Sequence, residues 1–395
     1  MEANHSIIKT GLHAEVAGGG LGGLAAAVGL AKAGWSVRLH ERSPEIRASG
    51  SGIYVAENGC RVLEALGIEV NTLKDCHRFF RRELRDGKNR LTAWDQWPAG
   101  SDFRVYFVRR ENLVKALLSA AFANGVEVVC GSEAVGADPA GRLLMRDGRA
   151  FAADLVIAAD GVGSPVRNSL GIPFMKTPEI EGAARAIVER RNEPHLPKDT
   201  YVEWWAGNRR FFYAPLSEKR AYACLIGPTN DPRIASGSDL SAWEASFPLP
   251  APVLGDIVEF VPFAPFIKVK LENWTSGKVA VIGDAAHAMT PNLGQGGGTA
   301  MMDGLSIAFN VSQTGCSVED GLAKWQARQR PVIDRVQRIA GMYGKFSQWP
   351  ALPRSVALSI LGASKWVRNR RLEAAHFIPD GARGAQGSQS VPPSR

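Results

Sequence analysis

Cysteine is scarce and scattered: Cys60, Cys76, Cys130, Cys224 and Cys316 are odd in number and never fall into the C-x-x-C spacing of zinc or dithiol chemistry. A chain of 395 residues can bury a real core without disulfides. The thiols are therefore expected to be reduced and mostly buried, with no metal site, in a cytoplasmic protein. No apolar run approaches the length of a membrane span, and Met1–Thr10 lacks a signal-peptide core, so neither export nor membrane insertion is expected. There is no internal repeat. His287 has no G-x-S-x-G elbow to serve, so acyl transfer lacks a nucleophile.

Charge of one sign is not concentrated either. The formal charge is +8 and the pI near 9.3, yet the basic residues are mostly dispersed. The densest groups are Arg78, Arg81, Arg82 and Arg85, and Lys365, Arg368, Arg370 and Arg371. A solvated face or an attractor for anionic substrates accounts for them more simply than nucleic acid does. At 45% apolar and 22% charged residues, the composition is that of an ordinary folded globule.

The first ordered pattern is strand, glycine turn, helix and strand between Leu12 and Arg42. Gly18-Gly19-Gly20-Leu21-Gly22-Gly23 satisfies G-x-G-x-x-G. Gly18 permits the turn, Gly20 lets backbone approach a pyrophosphate, and Gly23 lets helix pack on strand, leaving helix N-terminal amides for the phosphates. Such a turn by itself is as often empty as occupied. Glu41, ending the second strand where a carboxylate can bind a ribose, shifts the balance toward a dinucleotide.

Leu155–Ala159 and Val279–Ile282 are continuous apolar runs, suited to strands buried on both faces of a parallel sheet. Between them lie short β-rich pieces, Ala184–Val188, Tyr201–Trp205, Phe211–Ala214 and Ala221–Ile226, read as an inserted antiparallel sheet. Helical patterns cover Cys60–Leu66, Glu111–Asn124, Met301–Thr314, Val318–Tyr343 and a final stretch near Val356–Glu373.

Two further motifs name the cofactor. Asp160-Gly161-Val162-Gly163-Ser164-Pro165-Val166-Arg167 resembles the D-G-x-x-S-x-x-R segment of class A, single-component flavoprotein aromatic monooxygenases, and Gly283-Asp284-Ala285-Ala286-His287 resembles their second FAD motif. Pro291-Asn292-Leu293-Gly294-Gln295-Gly296 matches their P-x-x-G-Q-G loop beside the flavin. The likeness runs from Ala14 to Tyr343, and is strongest to members that oxygenate pyridine rings, through Gly34–Glu41 and Gly52-Ile53-Tyr54.

The resemblance implies an α/β fold like that of p-hydroxybenzoate hydroxylase: a Rossmann-like FAD-binding domain with an inserted antiparallel β-sheet substrate domain and C-terminal helices. Its expected parts are residues 12–173 with a substrate-side excursion near 74–106, 174–271 as the β-rich domain, 272–345 completing the FAD domain, helices over 346–379, and a disordered tail over 380–395. It implies FAD held by Gly18, Gly20, Leu21, Gly23, Glu41, Arg42, Arg47, Arg110, Asp160, Asp284, Pro291, Gly294, Gly296 and Gly297. NADH or NADPH would bind transiently, since no second complete G-x-G-x-x-G follows a strand. His287 is assigned to the structure of the flavin loop.

No catalytic side chain is required, because a flavin C4a-hydroperoxide formed with dioxygen would be the reagent. The implied substrate is a small hydroxylated aromatic or pyridine-type carboxylate, oxygenated with or without ring opening. Its candidate contacts are Tyr54, Arg185, Arg210, Tyr213, Tyr222 and Pro291. An arginine there would grip the carboxylate and a tyrosine the ring hydroxyl. The plainer reading puts such arginines at solvent and such tyrosines in the sheet core. Thr290, Asn292, Phe263 and Phe266 depart from the pyridine-oxygenating pattern. A monomer or homodimer without nucleic-acid or membrane partners is expected. The competing functions are a catalytically silent FAD scaffold, a related reductase, or a halogenase, the last disfavoured by the lack of W-x-W-x-I-P.

Overall fold

Gly18 ends the first strand at φ +106°, and the chain passes from there into the helix Leu21–Lys32. The computed structural model describes residues 11–46, 51–98, 100–190, 196, 198–235, 240–350, 353, 354, 356–358, 360 and 364–382. The expected parallel sheet is present. Its spatial order is Thr275–Ser276, Val279–Val281, Leu155–Ala158, His13–Ala17, Ser36–Glu41, Glu127–Cys130, and only the first pair is antiparallel. Leu155–Ala158 is buried at every position, as a strand between two parallel neighbours under helices must be. The helix Leu21–Lys32 is buried from Leu21 to Ala31 and is wedged between this sheet and the helix Gly296–Val311. Apolar residues all round it are the signature of that central position.

The β-rich region forms a second sheet, larger than expected and mixed where an antiparallel one was anticipated. Its order is Ile257–Leu271, Phe174–Glu189, Arg220–Pro228, Arg209–Pro215, Thr200–Ala206, Arg81–Asp86, Leu91–Gln96. The last two strands come from the 74–106 excursion, and Arg81–Asp86 runs parallel to Thr200–Ala206, with Val202 opposite Glu83. Strands contributed from such distant stretches have no hairpin to impose an antiparallel partner.

Side chains alternate across this sheet and give it two unlike faces. Val202, Trp204, Phe211, Tyr213, Ala223 and Leu225 pack under Trp243, Phe247 and Leu254. The opposite face carries Tyr201, Phe212, Tyr222 and Cys224, and meets Tyr54 and Phe107 of the strands Gly52–Ala56 and Val105–Arg109. The site lies on this second face, between the two sheets.

The helix Gly296–Val311 begins earlier than the Met301 expected. Ser317 caps the helix Val318–Ser347 by accepting from the Asp320 amide, and Ser364 caps Lys365–His376 by accepting from the Val367 amide. The stretch expected as one helix to Glu373 therefore restarts at Ser364. Asp380 and Ala382, assigned to the tail, are instead packed, and Asn310 donates to Asp380 at 2.9 Å; residues 383–395 lie outside the described residues. All five cysteines are free, but only Cys60 and Cys224 are buried, and Cys130 is exposed. Among the described residues no helix is long and apolar enough to cross a membrane, and no side-chain group could hold a metal ion.

Candidate active site

A cavity of about 540 Å³ runs from the glycine turn to the second sheet. At its first end Gly20 and Leu21 form the wall, and Gly20 has open space where a side chain would stand. The helix behind them has no side chain capping its N-terminus, so its first amides face the cavity with their partial positive charge. Gly18 and Gly23 do the internal work expected of them: a Cβ on Gly23 would lie 2.0 Å from the Gly18 carbonyl oxygen. Glu41 accepts from the Gly19 amide at 2.9 Å and the Ser43 amide at 3.0 Å, and each oxygen keeps a lone pair for a ribose hydroxyl. Arg110 lines the cavity from the first turn of its helix. Arg42 is exposed just beyond Glu41, and Arg47 lies outside the described residues.

The two later motifs are tied together by Arg167, which donates to the carbonyls of Val162 and, at 3.0 Å, Ala285. Between them Asp160 accepts from the Val166 amide through one oxygen, while its other oxygen is buried with no partner. Burial pushes the Asp160 carboxyl above its ordinary range. A hydroxyl donor from a bound molecule would satisfy that oxygen. Asp284 lines the cavity as an exposed carboxylate after Gly283. An open glycine wall, unpaired helix amides, a lone buried carboxylate oxygen and two further carboxylates together fit the phosphates and hydroxyls of FAD.

The Pro291–Gly297 loop closes the middle of the cavity. Gly294 is left-handed at φ +66°, and a Cβ there would meet the Tyr54 ring at 2.7 Å, so glycine allows Tyr54 to lie on the loop. Asn58 anchors the loop by donating to Gln295 at 3.0 Å. Beneath it, Asp303 accepts from the Gly283 amide, from His287 at 2.7 Å and from Gln329. Burial works against a proton on His287, but Asp303 outweighs it and holds the imidazole above its ordinary pKa. With the native value raised above the unfolded ~6.5, the stabilisation is complete below about pH 6.5 and is lost as pH rises through the native value. The melting temperature of His287→Asn should therefore fall further below the parent's at about pH 6 than at about pH 9. A gap of equal size at both pH values would mean that His287 carries no such proton.

The end of the cavity against the second sheet is lined by Tyr54, Phe107, Arg185, Tyr201, Glu203, Arg210, Phe212 and Tyr222. Arg185 shares a hydrogen bond with the Tyr222 hydroxyl and, among the described residues, has no carboxylate partner in the structure. Arg210 differs. It is 1% exposed and donates to Glu181 at 2.7 Å, Glu203 at 3.1 Å and Asn292 at 2.8 Å. It lines the cavity as expected of a contact residue, but its guanidinium is already paired with two internal carboxylates, unlike that of Arg185. Tyr213 is corrected: one residue out of phase with Arg210 and Phe212, it points into the core on the far face of the sheet. Arg209, on that face too, pairs with Asp231 and is buried, not solvated.

Several lining residues escaped the sequence reading. Tyr201 and Glu203 alternate along one strand, and Phe212 follows Arg210 by two, so strand period could have found them. Arg82 and Arg371 also line the cavity, from opposite ends of the chain, and no local pattern connects them. Paired register sets one row across the sheet: Arg185 opposite Cys224, Cys224 opposite Phe212, Phe212 opposite Glu203.

The profile of a family described as FAD binding domain matches residues 12–340. A 2-heptyl-3-hydroxy-4(1H)-quinolone synthase of Mycobacteroides abscessus is 39% identical over 89% of this chain and 95% of its own. A Rhodococcus erythropolis protein provisionally given the same name is 42% identical over 93% and 97%. Among solved structures, a mutant of 2-methyl-3-hydroxypyridine-5-carboxylic acid oxygenase superposes with TM-score 0.81 at 38% identity, covering 93% of this chain and 97% of that one.

Proposed function

This chain belongs to the FAD-binding-domain family and is an FAD-dependent aromatic monooxygenase, and from that premise we propose that it hydroxylates a 2-alkyl-4(1H)-quinolone at ring carbon 3. The balance is ring C–H, O₂, NAD(P)H and H⁺ giving ring C–OH, NAD(P)⁺ and water. Bound FAD supplies the two-electron chemistry that takes reducing equivalents from the nicotinamide and activates dioxygen. The flavin-contact set named above is proposed as its holder, without Arg42.

The observation that carries the substrate reading is the row Arg185, Cys224, Phe212, Glu203. A donor stands at one end, an acceptor at the other, and an aromatic face between, with three strand spacings of about 4.8 Å each to share between side chains and ring. A 4-quinolone is the complement: a carbonyl acceptor across the ring from an N–H donor. Arg185 and Tyr222 donate to the carbonyl oxygen. Glu203 accepts from the ring N–H and stabilises the positive charge that grows on nitrogen as carbon 3 acts as nucleophile. The carbon-3 proton then leaves to solvent and the ring recovers its conjugation. Tyr54 and Tyr201, which share a hydrogen bond, hold the ring toward the Pro291 loop.

Arg185→Ala is expected to lower kcat/KM about 100-fold while the bound-flavin spectrum stays as in the parent. A change within twofold would remove Arg185 from the site. A second reading, a pyridine-type carboxylate, is favoured by Arg185 having no carboxylate partner among the described residues, but Glu203 at the other end of the row, paired with Arg210, offers an acceptor that a ring N–H fits better than a second anion. Mass analysis of products from ¹⁸O₂ separates the two. One labelled oxygen in 2-heptyl-4(1H)-quinolone supports the first; labelled product from hydroxypyridine carboxylates alone supports the second.

A further inference from the structure

A second cavity, of about 600 Å³, adjoins the first, and Arg82 and Arg371 line both. The partition between them is ion-paired. Asp95 accepts from Arg82 at 3.3 Å and from Arg371, and Arg82 lies 3.8 Å from Glu203 on the active-site side. Beyond the partition apolar side chains share the walls with Arg335, Arg338, Arg368 and Arg370. Leu84, Ala93 and Trp94 come from the sheet edge, and Ile339, Met342 and Phe346 from the helix Val318–Ser347. The mouth carries exposed apolar groups as well: Met342 is 49% exposed and Trp366 is 68% exposed. Two arginine clusters far apart in sequence meet around this cavity, and Arg81 and Arg370 lie over the Trp94 and Trp366 rings at 4.9 and 5.7 Å.

Nothing in the oxygenation of a small ring calls for this space. A ring seated on the Arg185–Glu203 row and bearing a long apolar substituent would use it. The methylene stems of Arg82 and Arg371 give such a chain apolar flanks to slide along, while Asp95 pairs with both heads and Glu203 lies 3.8 Å from that of Arg82. Exposed apolar surface of this kind, adjoining a site, marks a ligand groove.

We propose that the second cavity is the subsite for the substrate's alkyl chain, with the Met342 and Trp366 mouth as its outer end. This rests on the quinolone reading and narrows it to substrates whose 2-substituent is long enough to pass Arg82 and Arg371.

The experiment uses FAD-loaded enzyme with 2-methyl-, 2-propyl-, 2-pentyl- and 2-heptyl-4(1H)-quinolone. In the parent, kcat/KM should rise roughly fourfold per methylene once the chain passes the partition. Ala93→Trp and Met342→Trp fill the cavity from its two walls. In each, with flavin content and melting temperature matched to the parent, the heptyl-to-methyl ratio of kcat/KM should fall at least tenfold. Turnover of the whole series with a flat profile, or an equal loss at all lengths in both variants, overturns the tail subsite and leaves the quinolone reading standing. Turnover of no congener overturns both. Tight binding to anionic vesicles together with an unaltered chain-length profile would assign the mouth to a lipid surface, and would also overturn the proposal.

Discussion

Arg210→Ala lowers the folding stability of the FAD-loaded protein by about 3–5 kcal/mol, read as a reduced urea midpoint at unchanged slope. The size follows from what the truncation leaves behind. Glu181 is buried and Glu203 nearly so, and without Arg210 two carboxylates would face each other with one cation lost. Burial already pushes the Glu181 carboxyl above its ordinary range, with Arg210 pulling the other way. The variant should therefore take up a proton at Glu181, and Glu181→Gln in the same chain should recover part of the loss. Arg210 also joins the sheet to Asn292 in the flavin loop, so the variant's flavin should be released at lower urea than the parent's. A variant with the parent's urea midpoint, but a raised KM for acidic substrates alone, would assign Arg210 to substrate binding.

Gly23→Ala abolishes flavin retention and yields insoluble or destabilised protein, whereas Gly20→Ala leaves the apoprotein's melting temperature within a few degrees of the parent and weakens only FAD affinity. Both substitutions add one methyl group to the same turn. At Gly23 the methyl would lie 2.0 Å from the Gly18 carbonyl oxygen and 3.2 Å from the Ala159 side chain. Backbone cannot swing aside like a flexible side chain, so the helix must lift off the strand, at more than the ~1–3 kcal/mol of ordinary overpacking. At Gly20 the same methyl meets nothing in the protein, at an ordinary negative φ of −76°, and projects into the space assigned to the pyrophosphate. The absorbance ratio at 450 and 280 nm and a melting curve on each variant decide the matter. Equal behaviour of the two would show that the turn is not divided in this way between packing and ligand.

Where the reading of residues succeeded and failed follows from the range of the interactions concerned. The glycine turn, Glu41, the Asp160 segment and the Pro291 loop each depend on neighbours a few positions away, so their spacing carried the information. Leu155–Ala158 was recognisable because burial on both faces leaves a run with no polar residue. Tyr213 was misplaced because a strand's segment can be recognised without its phase, and a shift of one residue moves a side chain to the other face. The pairing of Arg210 was not legible because sequence does not tell a free guanidinium from one already paired. Its partners Glu181 and Glu203 lie on different strands, and no spacing announces them.

The sequence by itself settled the cofactor chemistry and the layered α/β plan, because flavin is held by backbone turns whose glycines and carboxylates recur at short, fixed intervals. Tertiary structure alone brought together the residues proposed for the substrate. Register among the strands of residues 174–228 creates the row from Arg185 to Glu203, the strands of 81–96 add Arg82 and Asp95 beside it, and a helix from beyond residue 364 brings Arg371 to Asp95. Charges that meet only through strand register and helix docking neutralise one another or stand free according to geometry, and which cation remained for a ligand could be seen only once the chain was folded.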